Sequence, residues 1–146
     1  MKLFLALITL YSTTVFGDCG TSFNNGVNHY NFATTYFNTG VDEYNRAVEE
    51  ASKPTPNFDI VCRNLLNSYA GFFTAKNSFK ECRDNFAEAV KSCSGDNKLT
   101  AMKYSNVCYE ALQTSLANIN AVEGNIKGTC YTRQPLQEQE LFELGN

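Results

Sequence analysis

Apolar residues recur along most of this chain at alternating steps of three and four. From Val27 the steps land on Tyr30, Thr34, Phe37, Val41, Tyr44, Val48 and Ala51, the spacing that lines one face of a helix. The pattern predicts a first helix over residues 24–52. Gly40 inside it costs about 1 kcal/mol relative to alanine without interrupting the repeat. Pro54 and Pro56 then stop the helix, because proline lacks an amide donor and restricts the residue before it.

The same stepping from Phe58 gives Val61, Leu65, Ser68, Phe72, Ala75, Phe79, Cys82, Phe86, Ala89 and Cys93, predicting a second helix over residues 58–93. Ser78 followed by Glu81 has the form of a capping box, which divides this helix into two if it acts as one. Ser94-Gly95-Asp96-Asn97 is a turn with a glycine stop and N-cap residues for a third helix reaching about Cys130. Its stripe reads Met102, Tyr109, Leu112, Leu116, Ile119 and Ile126, widened by Tyr104, Cys108, Ala111 and Val122, a breadth suited to touching two neighbours.

Short connections force consecutive helices antiparallel, so the fold class expected is all-α: an up-down-up antiparallel three-helix bundle. Alternation of the strand type is absent. Two ends stand apart from the periodic region. Residues 1–17, with Lys2, the apolar run Leu3 to Leu10 and Gly17 before Asp18, have the form of a secretory signal peptide too short for a permanent membrane anchor. After the bundle, expected over 18–133, residues 134–146 form an acidic tail carrying Leu136, Leu141, Phe142 and Leu144 among glutamates. It reads as a mobile segment or a short acidic amphipathic helix docked on the bundle, with mobility favoured.

All six cysteines follow the expected cleavage site, and an even number in an exported chain implies three disulfides. Residues equidistant from a hairpin turn lie level across it. About the second turn, centred near Gly95, Cys82 lies level with Cys108, and Cys62 with Cys130. About the first, centred near Thr55, Cys19 lies level with Cys93. The pairs expected are therefore Cys19–Cys93, Cys62–Cys130 and Cys82–Cys108. On one straight helix Cys62 and Cys82 point to different sides, so this pairing favours a helix break near Asn77 and Ser78.

Without Lys2 the balance is eleven basic against fifteen acidic residues, with no basic cluster, which argues against a nucleic-acid partner. With one histidine and no C-x-x-C, no metal site is expected and no cofactor is implied. His29 stands alone, without the partners that a nucleophilic triad requires. Adjacent carboxylates such as Glu49-Glu50 point to different sides of a helix and make no acid–base pair. No catalytic residue is assigned, and no family is assigned either.

Most aromatics lie on the periodic seams and are core by default, among them Tyr30, Phe37, Tyr44, Phe58, Phe72, Phe79 and Phe86. Phe32, Tyr36, Tyr69 and Phe73 fall off the seams and are the candidate surface for a ligand or partner. The expectation is a secreted, non-enzymatic module that recognises another extracellular macromolecule. The alternative is a carrier of a small apolar molecule between the helices. Continuous heptads, which fill a bundle centre with side chains, favour the first.

Overall fold

A computed structural model describes residues 18–132, 136 and 141–144. The expected signal peptide lies outside the described residues, as does most of the acidic tail. Three helices pack together: α1 (Asp18–Ala51), α2 (Phe58–Ser92) and α3 (Gly95–Asn125), the last continuing into a π-helical turn, Ile126–Tyr131. No strand occurs among the described residues, and no helix there is long and apolar enough to cross a membrane. The first helix begins at Asp18, earlier than its apolar repeat suggests. Cys19 is bonded to Cys93, and the Phe23 ring sits 5.1 Å from Phe86 and 6.1 Å from Tyr104, so tertiary contacts hold the extra turns.

Local chemistry sets the two turns. Asn57 caps α2 by accepting from the amides of Asp59 at 3.1 Å and Ile60 at 3.3 Å. Glu50, near the end of α1, reaches across the turn to accept from the Asn57 amide at 3.1 Å and to pair with Lys53 at 2.5 Å. At the second turn Gly95 takes φ +54°, a left-handed conformation that favours glycine.

The middle helix organises the molecule. Both α1 and α3 pack extensively on α2 and touch each other little. Val61, Leu65, Phe72, Phe79 and Phe86 of α2 are fully buried or nearly so. On the α1 side the backbones nearly meet: a Cβ built on Gly71 would stand 2.8 Å from the Gly40 nitrogen and 3.0 Å from the Tyr36 carbonyl oxygen. The buried Ser68 hydroxyl donates to the Gly40 carbonyl at 2.7 Å. An N–H or O–H group buried in so tight a seam must find such a partner, because leaving it unpaired costs about 1–3 kcal/mol.

The bonded cysteine pairs are Cys19–Cys93, Cys62–Cys130 and Cys82–Cys108, with Cα separations of 4.9, 5.6 and 5.9 Å. The expected break in the second helix is corrected: α2 is continuous through Asn77 and Ser78, and Ser78 is buried within it rather than capping a new start. Two features make the break unnecessary. The buried seam of α2 repeats every seven residues, and in that 3.5-residue frame Cys62 and Cys82 are about 100° apart rather than the roughly 160° of a straight 3.6-residue helix. The π-helical turn then adds a residue to the turn that carries Cys130, changing the angle at which it meets Cys62.

The third helix also corrects its expected stripe. Met102, Tyr109 and Leu116 are exposed by 49 %, 50 % and 37 %, while Ala101, Cys108, Ser115, Asn118, Val122 and Asn125 face inward. Polar side chains occupy this buried face because each has a partner: Ser115 donates to the Ala111 carbonyl at 2.9 Å, and Asn125 donates to the Tyr44 hydroxyl at 3.1 Å. Phe58, counted as core from its spacing, is 36 % exposed at the start of α2.

Candidate interaction surfaces

The four aromatics set apart in the sequence do not form one patch. Phe32 and Tyr36 lie one turn apart on α1, ring centroids 4.6 Å apart, and both are exposed. Tyr69 and Phe73 stack on α2 with centroids 6.1 Å apart and planes inclined by 16°. The Lys76 ammonium stands 4.0 Å over the Phe73 ring, where the ring quadrupole attracts it. No ring contact joins the two pairs among the described residues. Tyr69 is half-buried against the main core, whereas Phe73 is 42 % exposed. The Lys127 pKa is raised, chiefly by its hydrogen bond to Glu123 at 2.8 Å. The α2 pair is thus an aromatic surface with one ammonium group, that of Lys76, over its exposed ring.

His29 lines a surface hollow of about 370 Å³ together with Asn28, Phe32, Asn77, Ser78 and Glu81. The structure therefore places a serine, the histidine and a carboxylate beside one another, a grouping that linear spacing did not reveal because Ser78 and Glu81 come from the antiparallel neighbour. No hydrogen bond links the three. Ser78 and Glu81 sit inside a continuous helix whose amides serve their own helix, so the backbone there offers no free donor to an oxyanion. No cluster of metal-ligating side chains occurs among the described residues.

Tyr30, between the two halves of the core, has its phenol pKa raised, chiefly by burial, with the Thr34 hydrogen bond opposing and nearby Tyr104 adding to the rise. It packs at 5.8 Å from Phe79 and acts as a core aromatic.

A third surface involves the tail. Leu136, Leu141 and Leu144 pack against the main core, and residues 141–144 run without helical structure. Asn118, fully buried on α3, makes two hydrogen bonds to one tail residue: its Nδ2 donates to the Phe142 carbonyl at 2.9 Å, and its Oδ1 accepts from the Phe142 amide at 2.7 Å. Neither the amphipathic helix nor the free segment expected for the tail describes residues 141–144. Spacing did not reveal this because Asn118 looks like a polar fault in an apolar stripe. Its function as a partner for main chain exists only once the tail folds back.

Comparison of the chain with protein-family models, with curated proteins and with solved structures finds no match.

Proposed function

We propose that this chain is a secreted, non-catalytic helical module that recognises another extracellular macromolecule through exposed aromatic side chains and needs no cofactor. The reading is supported most by Phe32, Tyr36 and Phe73, large rings left exposed on the outer faces of α1 and α2, as Tyr109 is on α3. Aromatic residues are enriched where proteins bind one another, since they offer large contact area at low entropic cost. Three disulfides fit an oxidising compartment.

The test is native mass spectrometry of the protein recovered from its source, repeated with Phe32→Ser/Tyr36→Ser and with Phe73→Ser. A stoichiometric protein partner lost in one of these variants, with circular dichroism unchanged, is the expected result. A bound small apolar molecule in place of a protein would favour the carrier. Any reproducible turnover that falls more than about tenfold on His29→Ala, equivalent to ~1.4 kcal/mol of barrier, would make the protein an enzyme.

A further inference from the structure

We propose that the outer face of α1 around Phe32, with the hollow beside it, is a binding site for a neutral saccharide chain carried by the partner macromolecule. The proposal rests on the interaction reading above and deepens it by naming a site and a ligand class. Its first support is a gap in charge. From residue 19 to residue 41 the chain has no Asp, Glu, Lys or Arg, although the stretch is helical throughout. Every exposed residue in it is Asn, Thr, Phe or Tyr. Protein surfaces ordinarily mix charges of both signs, and α1 returns to them at once with Asp42, Glu43 and Arg46.

Steps of four and three along the outside of this stretch give Thr21, Asn25, Asn28, Phe32, Thr35 and Thr39, all exposed, a line of about 27 Å at ~1.5 Å per residue. Asparagine and threonine are poor helix formers, so this face weakens the helix that carries it. A local rule broken with no gain in folding points to function.

The second support is the chemistry at the hollow. Phe32 lines it, and the Tyr36 ring, 4.6 Å away, extends an exposed aromatic platform on which the C–H face of a sugar ring can stack. Asn28 from α1 and Asn77 from α2 line the same hollow, and neither carboxamide has a hydrogen-bond partner among the described residues. Asn57, Asn118 and Asn125, by contrast, are each bonded within the protein. An unbonded carboxamide offers both donors and an acceptor, which suits a sugar hydroxyl because that group also does both. Along the line, the Thr35 and Thr39 hydroxyls donate to main-chain carbonyls one turn back at 3.1 and 3.0 Å, which leaves oxygen lone pairs as acceptors for a ligand.

Charge and size narrow the ligand further. No lysine or arginine lines the hollow to receive an anion, and Glu81 is its one carboxylate. The carboxamides and the threonine line have no role toward an ammonium group, whereas a polyhydroxyl chain engages them all. At about 370 Å³ the hollow is at the small end of ligand sites, room for a terminal sugar with the rest of its chain lying along the threonine line.

The test places the full chain on an array of neutral oligosaccharides ending in glucose, galactose, mannose or N-acetylglucosamine, beside sialylated and sulfated counterparts and a cationic glucosamine oligomer. Wild-type protein should retain at least one neutral series at least tenfold better than the charged ones. Phe32→Ala and Asn28→Ala/Asn77→Ala should each weaken that binding at least fivefold, while Leu99→Ser, on the exposed start of α3, leaves it unchanged. Should either variant not fold by circular dichroism, Asn28→Asp, which keeps the shape and adds a charge, should show the same loss. The absence of binding to any neutral series overturns the proposal, and so do a preference for a charged series and equal binding by wild type and the folded variants.

Enzymatic removal of neutral glycans from the partner identified by native mass spectrometry separates this site from the reading it rests on. Loss of the complex on deglycosylation is the expected result. A complex that survives deglycosylation overturns the saccharide site and leaves recognition through exposed aromatics standing.

Discussion

The two interfaces of α2 are built on different principles. Against α1 the contact is tight enough for glycine backbones to meet, with Gly71 on Gly40 and Ser68 bonded into the seam, and its disulfide lies at one far end, Cys19–Cys93. Against α3 the buried face is interrupted by Ser115, Asn118 and Asn125, and two disulfides cross between the elements. A seam of small residues gains dispersion contacts from close approach, while a seam containing carboxamides yields less from burial and is secured by covalent restraint of the unfolded chain. The polar side of the molecule is also the side where the tail docks.

The largest expected effect sharpens this contrast at α3. Removing the Cys62–Cys130 bridge as Cys62→Ala/Cys130→Ala, across a sequence separation of 68 residues, should cost about 4 kcal/mol by the chain-entropy relation. Equilibrium denaturation at fixed pH measures it. A loss below about 1 kcal/mol would mean that packing alone holds α3 and that the two interfaces differ less than proposed.

Next is a pair of glycine substitutions. Gly71→Ala places a methyl group within 3.0 Å of α1 backbone that cannot move without separating the helices, so it should destabilise by about 2 kcal/mol despite alanine's better helix propensity. Gly124→Ala on α3 meets nothing within 4 Å and should stabilise by about 0.5–1 kcal/mol. Thermal unfolding should move in opposite directions for the two. A Gly71→Ala protein as stable as wild type would break the close-packing account of α1 and α2.

The smallest effect concerns the turn between α1 and α2. The Glu50 carboxyl has its pKa lowered from 4.5, first by Lys53 and then by the Asn57 amide. A group depressed in the folded state contributes stability that is present above its unfolded pKa and lost as pH falls through the folded value. Its partner Lys53 is 53 % exposed at the surface turn, so the pair contributes little. The melting-temperature difference between wild type and Glu50→Gln should therefore shrink as pH drops below 4.5. A difference that stays constant from neutral to strongly acid solution would sink this assignment.

Much of this architecture is legible in the residues. Seam positions such as Phe37, Tyr44, Leu65, Phe72 and Phe79 are buried as their spacing implies, because helical periodicity and burial are the same geometry read twice. The cysteine levels also match the bonded pairs, since antiparallel helices of equal rise keep equidistant residues opposite. Spacing failed on α3 for an identifiable reason. Met102, Tyr109 and Leu116 are more apolar than Ser115, Asn118 and Asn125, and apolarity alone puts the wrong edge of the helix inside. What reverses that choice is the supply of hydrogen-bond partners from Tyr44 and from Phe142, residues far away in the chain.

Three helices, their antiparallel order and the pairing of six cysteines are therefore determined by sequence, because periodicity, prolines and equal turn distances are local or one-dimensional quantities. Tertiary structure alone decided that α2 remains unbroken, that Ser78, His29 and Glu81 share a hollow, that the off-seam aromatics form two patches rather than one, and that Leu141 and Leu144 return to the core. Each of these depends on the angle at which one helix face meets another segment. That angle is set by packing distances and hydrogen-bond partners that exist only after the chain has folded.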